Sequence, residues 1–201
     1  MKIDNTTHKV DDANFYKVES SKSQIVISIS LRKDGNHITR LKHKSFGKSK
    51  KWNTYTITRD GVIFEHYPSK YYGDFIGIKQ GDRQSITIVL ENMGCLFNTS
   101  DENYVNWLNE ECDGALVINK RWMGYDYWES FTDNQINSLT WLCRHLCEKH
   151  GINLSCIDFQ YYHKDVVKYM GIVFMSNYIE DTNNISPLFD IEKFNELLLA
   201  E

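Results

Sequence analysis

Two short runs of β-branched residues set what this chain can fold into. Gln24–Leu31 (QIVISISL) reads as a buried or half-buried strand, and Gln84–Glu91 (QSITIVLE) is apolar enough to lie at the centre of a sheet. Between them Trp52–Thr58 (WNTYTIT) alternates, Arg59-Asp60-Gly61 is a turn signal, and Val62–Tyr67 (VIFEHY) is a second run, so the segment reads as a β-hairpin. Thr132, followed three residues later by Gln135, has the spacing of a capping box, and Gly151 is a C-terminal stop, which predicts a helix from 133 to about Lys149. Ile38, Leu41 and Phe46 mark a shorter helix, and Ile191–Leu199 an amphipathic one. Ile152–Tyr162 is expected to hold a further strand, Asn92–Arg121 to be a long irregular insertion, and residues 1–23 to be a polar arm preceding a domain over 24–201. The expected class is α/β, a single mixed β-sheet flanked by helices.

Eleven glycines and two prolines in 201 residues argue against collagen-like, propeller or low-complexity classes. A net charge of −4 gives no global field that would hold a polyanion or an anionic membrane, so partners must be read locally and nucleic acid is not expected. No window is apolar enough to span a bilayer, and the polar start, with Asp4, Asp11 and Asp12, does not read as an export signal. The expectation is residence in the cytoplasm of the producing cell. Five cysteines without C-x-x-C spacing suit reduced thiols.

Locally, Arg32–Lys51 carries eight bases against the single acid Asp34, an anion-binding face or a solvated helix and loop. Cys143, Cys147 and His150 fall at i, i+4 and i+7 on the long helix, the spacing of a metal face, but Leu residues share the stripe and core is the better reading. Trp52, Tyr71, Tyr72, Trp122, Tyr125, Tyr127 and Trp128 are groove or rim aromatics or core packing. Arg121–Trp128 (RWMGYDYW) is the most concentrated set, and Trp52, Tyr72, Arg121, Trp122 and Tyr127 are the candidate binding residues.

The ordered motifs together resemble the type-2 N-acetylmuramoyl-L-alanine amidases, the family of bacterial and phage wall amidases and peptidoglycan recognition proteins. The family's first strand ends I-V-I-H-x-T, where this chain has Ile25-Val26-Ile27-Ser28-Ile29-Ser30. Its hairpin turn is R-D-G, here Arg59-Asp60-Gly61. Its y-W-a-y-H-l-G segment corresponds to Tyr71–Gly77, its S-I-G-I-E-L-x-N-x-G strand to Ser85–Gly94, and its Y-T-x-x-Q helix start to Phe131–Gln135. Near the end, G-I-V-x-H-S matches Gly171–Ser176, and D-P-G-P-x-F matches Asn184–Phe189. The match spans about Gln24 to Phe194.

The resemblance implies zinc held by two His and an Asp or Cys, with a bound water activated to attack the muramoyl-L-alanine amide. At the matching ligand positions stand Ser28, Met175 and Asn184, with Ile27 the alternative to Ser28. Val89 stands where many members have a catalytic Glu, and Phe75 at the pocket His. A hydroxyl, a thioether and an amide offer a dication neither charge nor imidazole. The resemblance therefore implies a degenerate member with no cofactor, acting as a binding or structural component of phage type, cytoplasmic or built into a virion. A peptidoglycan fragment or another protein would be its partner, and it could be oligomeric. Two alternatives stand beside it: an active zinc amidase whose site is rearranged around His66, His163 or Asp181, and a protein that binds a host or self partner through the basic stretch or the aromatic set.

Overall fold

The β-branched runs become neighbouring central strands. The computed structural model describes residues 1–44, 49–100, 103–180 and 185–200. Among these, the strands in chain order are β1 (Ile3–Asp4), β2 (Gln24–Ile29), β3 (Tyr55–Ile57), β4 (Ile63–Glu65) and β5 (Ser85–Leu90), then β6 (Cys95–Ser100), β7 (Asn103–Val105), β8 (Glu111–Cys112), β9 (Val117–Trp122), β10 (Tyr125–Glu129) and β11 (Gly171–Phe174). The α-helices are α1 (Asn36–Lys44), α2 (Lys79–Gln84), α3 (Asp133–His150), α4 (Met175–Tyr178) and α5 (Ile191–Leu199).

The main sheet runs β1-β4-β3-β5-β2-β11. β2 pairs in parallel with both β5 and β11, and β3 pairs in parallel with β5. The hairpin β3–β4 is antiparallel, with Thr56 opposite Phe64. Every residue of β2 and of β5 is buried, which accounts for their unbroken apolar character. Strand periodicity then sorts side chains onto two faces. Ile25, Ile27, Ile29, Tyr55, Ile57, Ile86 and Ile88 pack with Leu139, Leu142, Cys143 and Leu146 of α3 and with Phe194 of α5. Cys143 and Cys147 are thus part of this core, and His150 Nε2 meets Ser69 Oγ at 2.9 Å instead of joining them.

α3 starts as its sequence predicts at one end of the capping box only. Thr132 Oγ1 accepts the Gln135 amide at 3.1 Å, but the Gln135 side chain, instead of returning to Thr132, donates to the carbonyls of Glu91 (2.9 Å) and Ile57 (3.3 Å). This ties the helix start to the ends of β3 and β5. Gly151 closes the helix in the left-handed conformation, φ 66°.

Three sequence expectations change. Asn92–Arg121 is not irregular: it supplies β6 to β8 and most of β9, which with β10 form a second sheet in the order β8-β7-β6-β10-β9. Ile152–Tyr162 holds no strand; Cys156 makes a single bridge to Ile172, and the strand itself is β11. Residues 1–23 are more than a lead-in, since β1 pairs in parallel with β4 and Phe15 is buried with Ile38, Leu41, Trp52 and Tyr67. Phe46, read as part of the first helix's apolar face, lies outside the described residues. No helix among the described residues is long and apolar enough to cross a membrane.

Candidate functional site

The sheet face away from α3 carries the residues matched to the family's chemistry. In register across three strands, Ser28 lies opposite Val89, and Val89 opposite Thr56. Ser28 is 3% exposed, and its hydroxyl is 3.4 Å from the carbonyl of Ile29. Met175, at the start of α4, is buried with Val26, Ile76, Val166, Val173 and Tyr178, and Phe75 packs against the same cluster. Asn184 lies outside the described residues. Ser28 and Met175 do not fit a zinc ion: neither brings charge or imidazole, and among the described residues no three His, Cys, Asp or Glu side chains converge to hold a metal.

Beside this row, α1 lies over the sheet and a chain of buried polar groups runs beneath it. His37 Nε2 meets Asn53 Oδ1 at 3.0 Å, and Asn53 Nδ2 donates to Thr56 Oγ1 at 2.9 Å and to the Tyr55 carbonyl at 2.6 Å. Thr56 Oγ1 meets His66 Nε2 at 2.8 Å, and His66 Nδ1 meets the His8 carbonyl at 2.9 Å. A carbonyl can only accept, so His66 carries its proton on Nδ1 and accepts from Thr56 on Nε2. Burial pushes both imidazoles down, His37 to about 4 and His66 to about 3. Both histidines are buried and hydrogen-bonded, and His66 is a core residue whose Nε2 lone pair is taken by Thr56. His163 is exposed on the surface.

The open part of the site lies next to Phe75. A cavity of about 640 Å³ is lined by Tyr16, Lys51, Tyr72, Asp74, Phe75 and Asp82, among others. The Tyr16 and Tyr72 rings stack at 4.9 Å with planes 21° apart, Tyr16 donates to Asp74 Oδ2 at 3.0 Å, and Lys50 sits 4.6 Å over the Tyr16 ring. Asp82 accepts the amides of Ile76 (2.7 Å) and Gly77 (3.1 Å), yet burial still raises its carboxyl to about 6. Lys22, buried 5.7 Å from the Tyr72 ring and donating to the Arg83 carbonyl, is pushed down to about 7 by the same cause, opposed by Asp82.

Of the five candidate binding residues, only Tyr72 lines this cavity. Trp52, expected at a groove or rim, is instead 1% exposed in the core beneath α1. Arg121, Trp122 and Tyr127 belong to the second sheet. Arg121 is exposed and ion-paired with Asp126 at 3.0 Å, Trp122 packs between Trp128 and Phe159, and Tyr127 leans on Tyr104 with ring centroids 5.0 Å apart. Sequence reasoning missed Tyr16, Lys22 and Asp82. An aromatic pair, Phe15-Tyr16, in an otherwise polar lead-in was the one available signal.

A second ionisable cluster joins the two sheets. Arg59, of the R-D-G turn, is 9% exposed; its Nη1 lies 3.2 Å from Glu129 Oε1 and donates to the Ser130 carbonyl at 2.9 Å. Glu129 Oε2 accepts the Met93 amide at 2.6 Å. Glu91, also buried, accepts the Gly35 amide at 2.8 Å, and no cation lies within salt-bridge distance of it among the described residues. Burial raises both carboxyls to about 7; Asp34 and Asp60 reinforce the rise at Glu91, while Arg59 opposes it at Glu129.

Comparison with known proteins places this arrangement in a class. The family model described as N-acetylmuramoyl-L-alanine amidase matches residues 20–170, and the chain belongs to that family. Among solved structures, it is similar to the N-acetylmuramoyl-L-alanine amidase LysC from Clostridium intestinale URNW, with a TM-score of 0.57, 17% identity, and 100% of this chain and 99% of that chain covered. The catalytic domain of XlyA is similar at a TM-score of 0.58 and 16% identity, covering 98% and 99%. The amidase AmiD from E. coli, in complex with anhydro-N-acetylmuramic acid-L-Ala-D-gamma-Glu-L-Lys, gives a TM-score of 0.56 and 14% identity, covering 90% of this chain and 59% of that one. At these identities the likeness is one of fold. No curated protein sequence matches the chain.

Proposed function

We propose that this chain is an amidase-fold module that binds without catalysing, a phage-type protein whose cavity beside Phe75 holds a wall fragment. The observation that carries the reading is the Ser28–Val89–Thr56 row with Met175 nearby. A dication finds no anionic donor there, the nearby His66 imidazole is buried and hydrogen-bonded through both nitrogens, and at Val89 no group can move a proton. The stacked Tyr16–Tyr72 pair, with Lys51, Asp74 and Asp82 around it, supplies aromatic faces for a sugar or peptide plane and charges of both signs for its polar groups. Activity as a zinc amidase would require ligands from elsewhere, and the buried, doubly hydrogen-bonded His66 argues against its being one. The second sheet, with Arg121, Trp122 and Tyr127, is the surface on which a protein partner would be read instead.

Retention on insoluble peptidoglycan tests this. The wild type should sediment with purified sacculi, Tyr16→Ala/Tyr72→Ala should lose most of that retention, and Trp122→Ala/Tyr127→Ala should keep it. Absence of wild-type retention, or loss only in the second variant, would overturn the assignment of the cavity.

A further inference from the structure

A second cavity, of about 470 Å³, opens between α1 and the turn of the β3–β4 hairpin, and the reading above makes no use of it. Asp34, Ile38 and Lys42 follow one another at four-residue spacing, so one face of α1 lines this cavity with an acid ahead of its first turn, then an apolar side chain, then a base. From Asn36 to Lys42 the helix rises about 9 Å. Glu91 and Asp60 line the cavity with Asp34, and Phe64 lines it with Ile38.

Glu91 is 2% exposed and only half satisfied: Oε1 accepts the Gly35 amide at 2.8 Å, and among the described residues no donor reaches Oε2. A carboxylate oxygen buried to this degree beside an open cavity calls for a donor. Its neighbours do not supply one. Arg59 is turned away, with Nη1 on Glu129 (3.2 Å) and on the Ser130 carbonyl (2.9 Å), and its Nε comes no nearer than 4.0 Å to Asp34. Asp60 accepts the Thr58 hydroxyl and has no cation within 4.0 Å among the described residues. Arg59 and Lys33 are the cations that act on this end, against the four carboxylates of Asp34, Asp60, Glu91 and Glu129. Among the described residues no three acids converge as a metal ion requires, whereas an ammonium reaches separate oxygens at about 2.8 Å.

The other end has the opposite sign. Lys42 Nζ meets His8 Nδ1 at 3.0 Å, and since an ammonium can only donate, His8 accepts and is neutral; burial first, and then Lys42, lowers it. The acid nearest in effect is Asp4, and both of its oxygens are taken by Thr6 and Thr7.

We propose that this cavity binds a primary ammonium ion on a short apolar stem, the ammonium at Glu91, Asp34 and Asp60, the stem along Ile38 and Phe64, and no second cation at the Lys42 end. The site is independent of the wall-binding reading, which uses the cavity beside Phe75.

The test titrates the full chain with hexylamine at constant ionic strength and pH 8, where Glu91 has given up its proton and the amine keeps its own. The Gly35 amide resonance, which reports on the Glu91 carboxylate, is followed. Wild type should saturate, hexan-1-ol should leave the signal in place, and 1,6-diaminohexane should bind about fivefold more weakly or worse because its second ammonium meets Lys42. Glu91→Gln, which keeps the bond to Gly35, should weaken hexylamine by about tenfold or more. Lys42→Gln should leave hexylamine unchanged and close the gap to the diamine, and Tyr16→Ala/Tyr72→Ala should bind hexylamine like wild type. The site is refuted if wild type does not saturate, if hexan-1-ol or calcium chloride at matched ionic strength moves the signal equally, or if Glu91→Gln binds hexylamine like wild type. Loss in Tyr16→Ala/Tyr72→Ala alone would place the amine in the other cavity and overturn the proposal, and a diamine that binds wild type as tightly as hexylamine would overturn the role of Lys42.

Discussion

Glu91 offers the sharpest test of the electrostatics that joins the two sheets. Its carboxyl is buried, accepts one amide from Gly35, and faces Asp34, Asp60 and Glu129 with no cation of its own. Held at about 7 in the folded chain against an ordinary 4.5, it binds a proton more tightly when folded. The stability it contributes is therefore fully present below about pH 4.5 and is lost as pH rises through about 7. The full gap corresponds to at most about 3 kcal/mol, and because Glu91 borders a cavity of about 470 Å³ that admits water, about 1–2 kcal/mol is the expected effect. Glu91→Gln keeps an acceptor for Gly35 and cannot ionise. Urea unfolding followed by tryptophan fluorescence should find the variant close to wild type at pH 5 and more stable by about 1–2 kcal/mol at pH 8.5. A difference that stays constant or moves the other way across that range would show that Glu91 is ionised and compensated in the fold, and the account of the cluster would fail.

Glu129→Gln should behave in the same direction, because burial outweighs Arg59 and holds the Glu129 carboxyl at about 7: the variant should be close to wild type at pH 5 and more stable at pH 8 in the same assay, and a loss at pH 8 would show that the Arg59 pair outweighs burial. His37 and His66 are held neutral, so the stability they contribute is present above about pH 6.5 and is lost as pH falls toward 4. In His37→Gln, chemical denaturation at stepped pH should show a shallower acid loss than wild type, and an unchanged slope would count against it. Gly61→Ala should cost about 2–4 kcal/mol by thermal unfolding, since Gly61 sits at φ +87° and a Cβ there would come within 2.8 Å of the Asn134 carbonyl of α3. A near-neutral result would mean that the hairpin turn is free to lift off the helix.

What the sequence disclosed was whatever local chemistry specifies. β2 and β5 announce themselves because both faces of each are buried, the hairpin because its turn residues sit between two alternating runs, and α3 because Thr132 and Gly151 mark its ends. The second sheet was hidden because β6, for instance, buries only Cys95 and Leu96 and then runs through Phe97, Asn98, Thr99 and Ser100 exposed, so its pairing with β7 and β10 leaves little periodic trace. The strand expected in Ile152–Tyr162 failed for a related reason: apolar content alone does not say whether a segment has a partner edge. At the site, the positions matched to the family's motifs could be named from the sequence. Trp52 could not be placed, because burial under α1 depends on Phe15 from the first residues of the chain. The Tyr16–Tyr72 stack and the Glu91–Arg59–Glu129 cluster join positions more than thirty residues apart, and spacing carries no signal of that kind.

The claim that this amidase-family chain lacks a working metal centre is tested most directly by metal analysis and hydrolysis on one preparation. The protein, purified without added metal and then equilibrated with zinc and desalted, should retain well under one zinc per chain. The same sample should release no new amino termini from purified peptidoglycan. One zinc per chain, together with release of stem peptides that stops on chelation and returns with zinc, would contradict it.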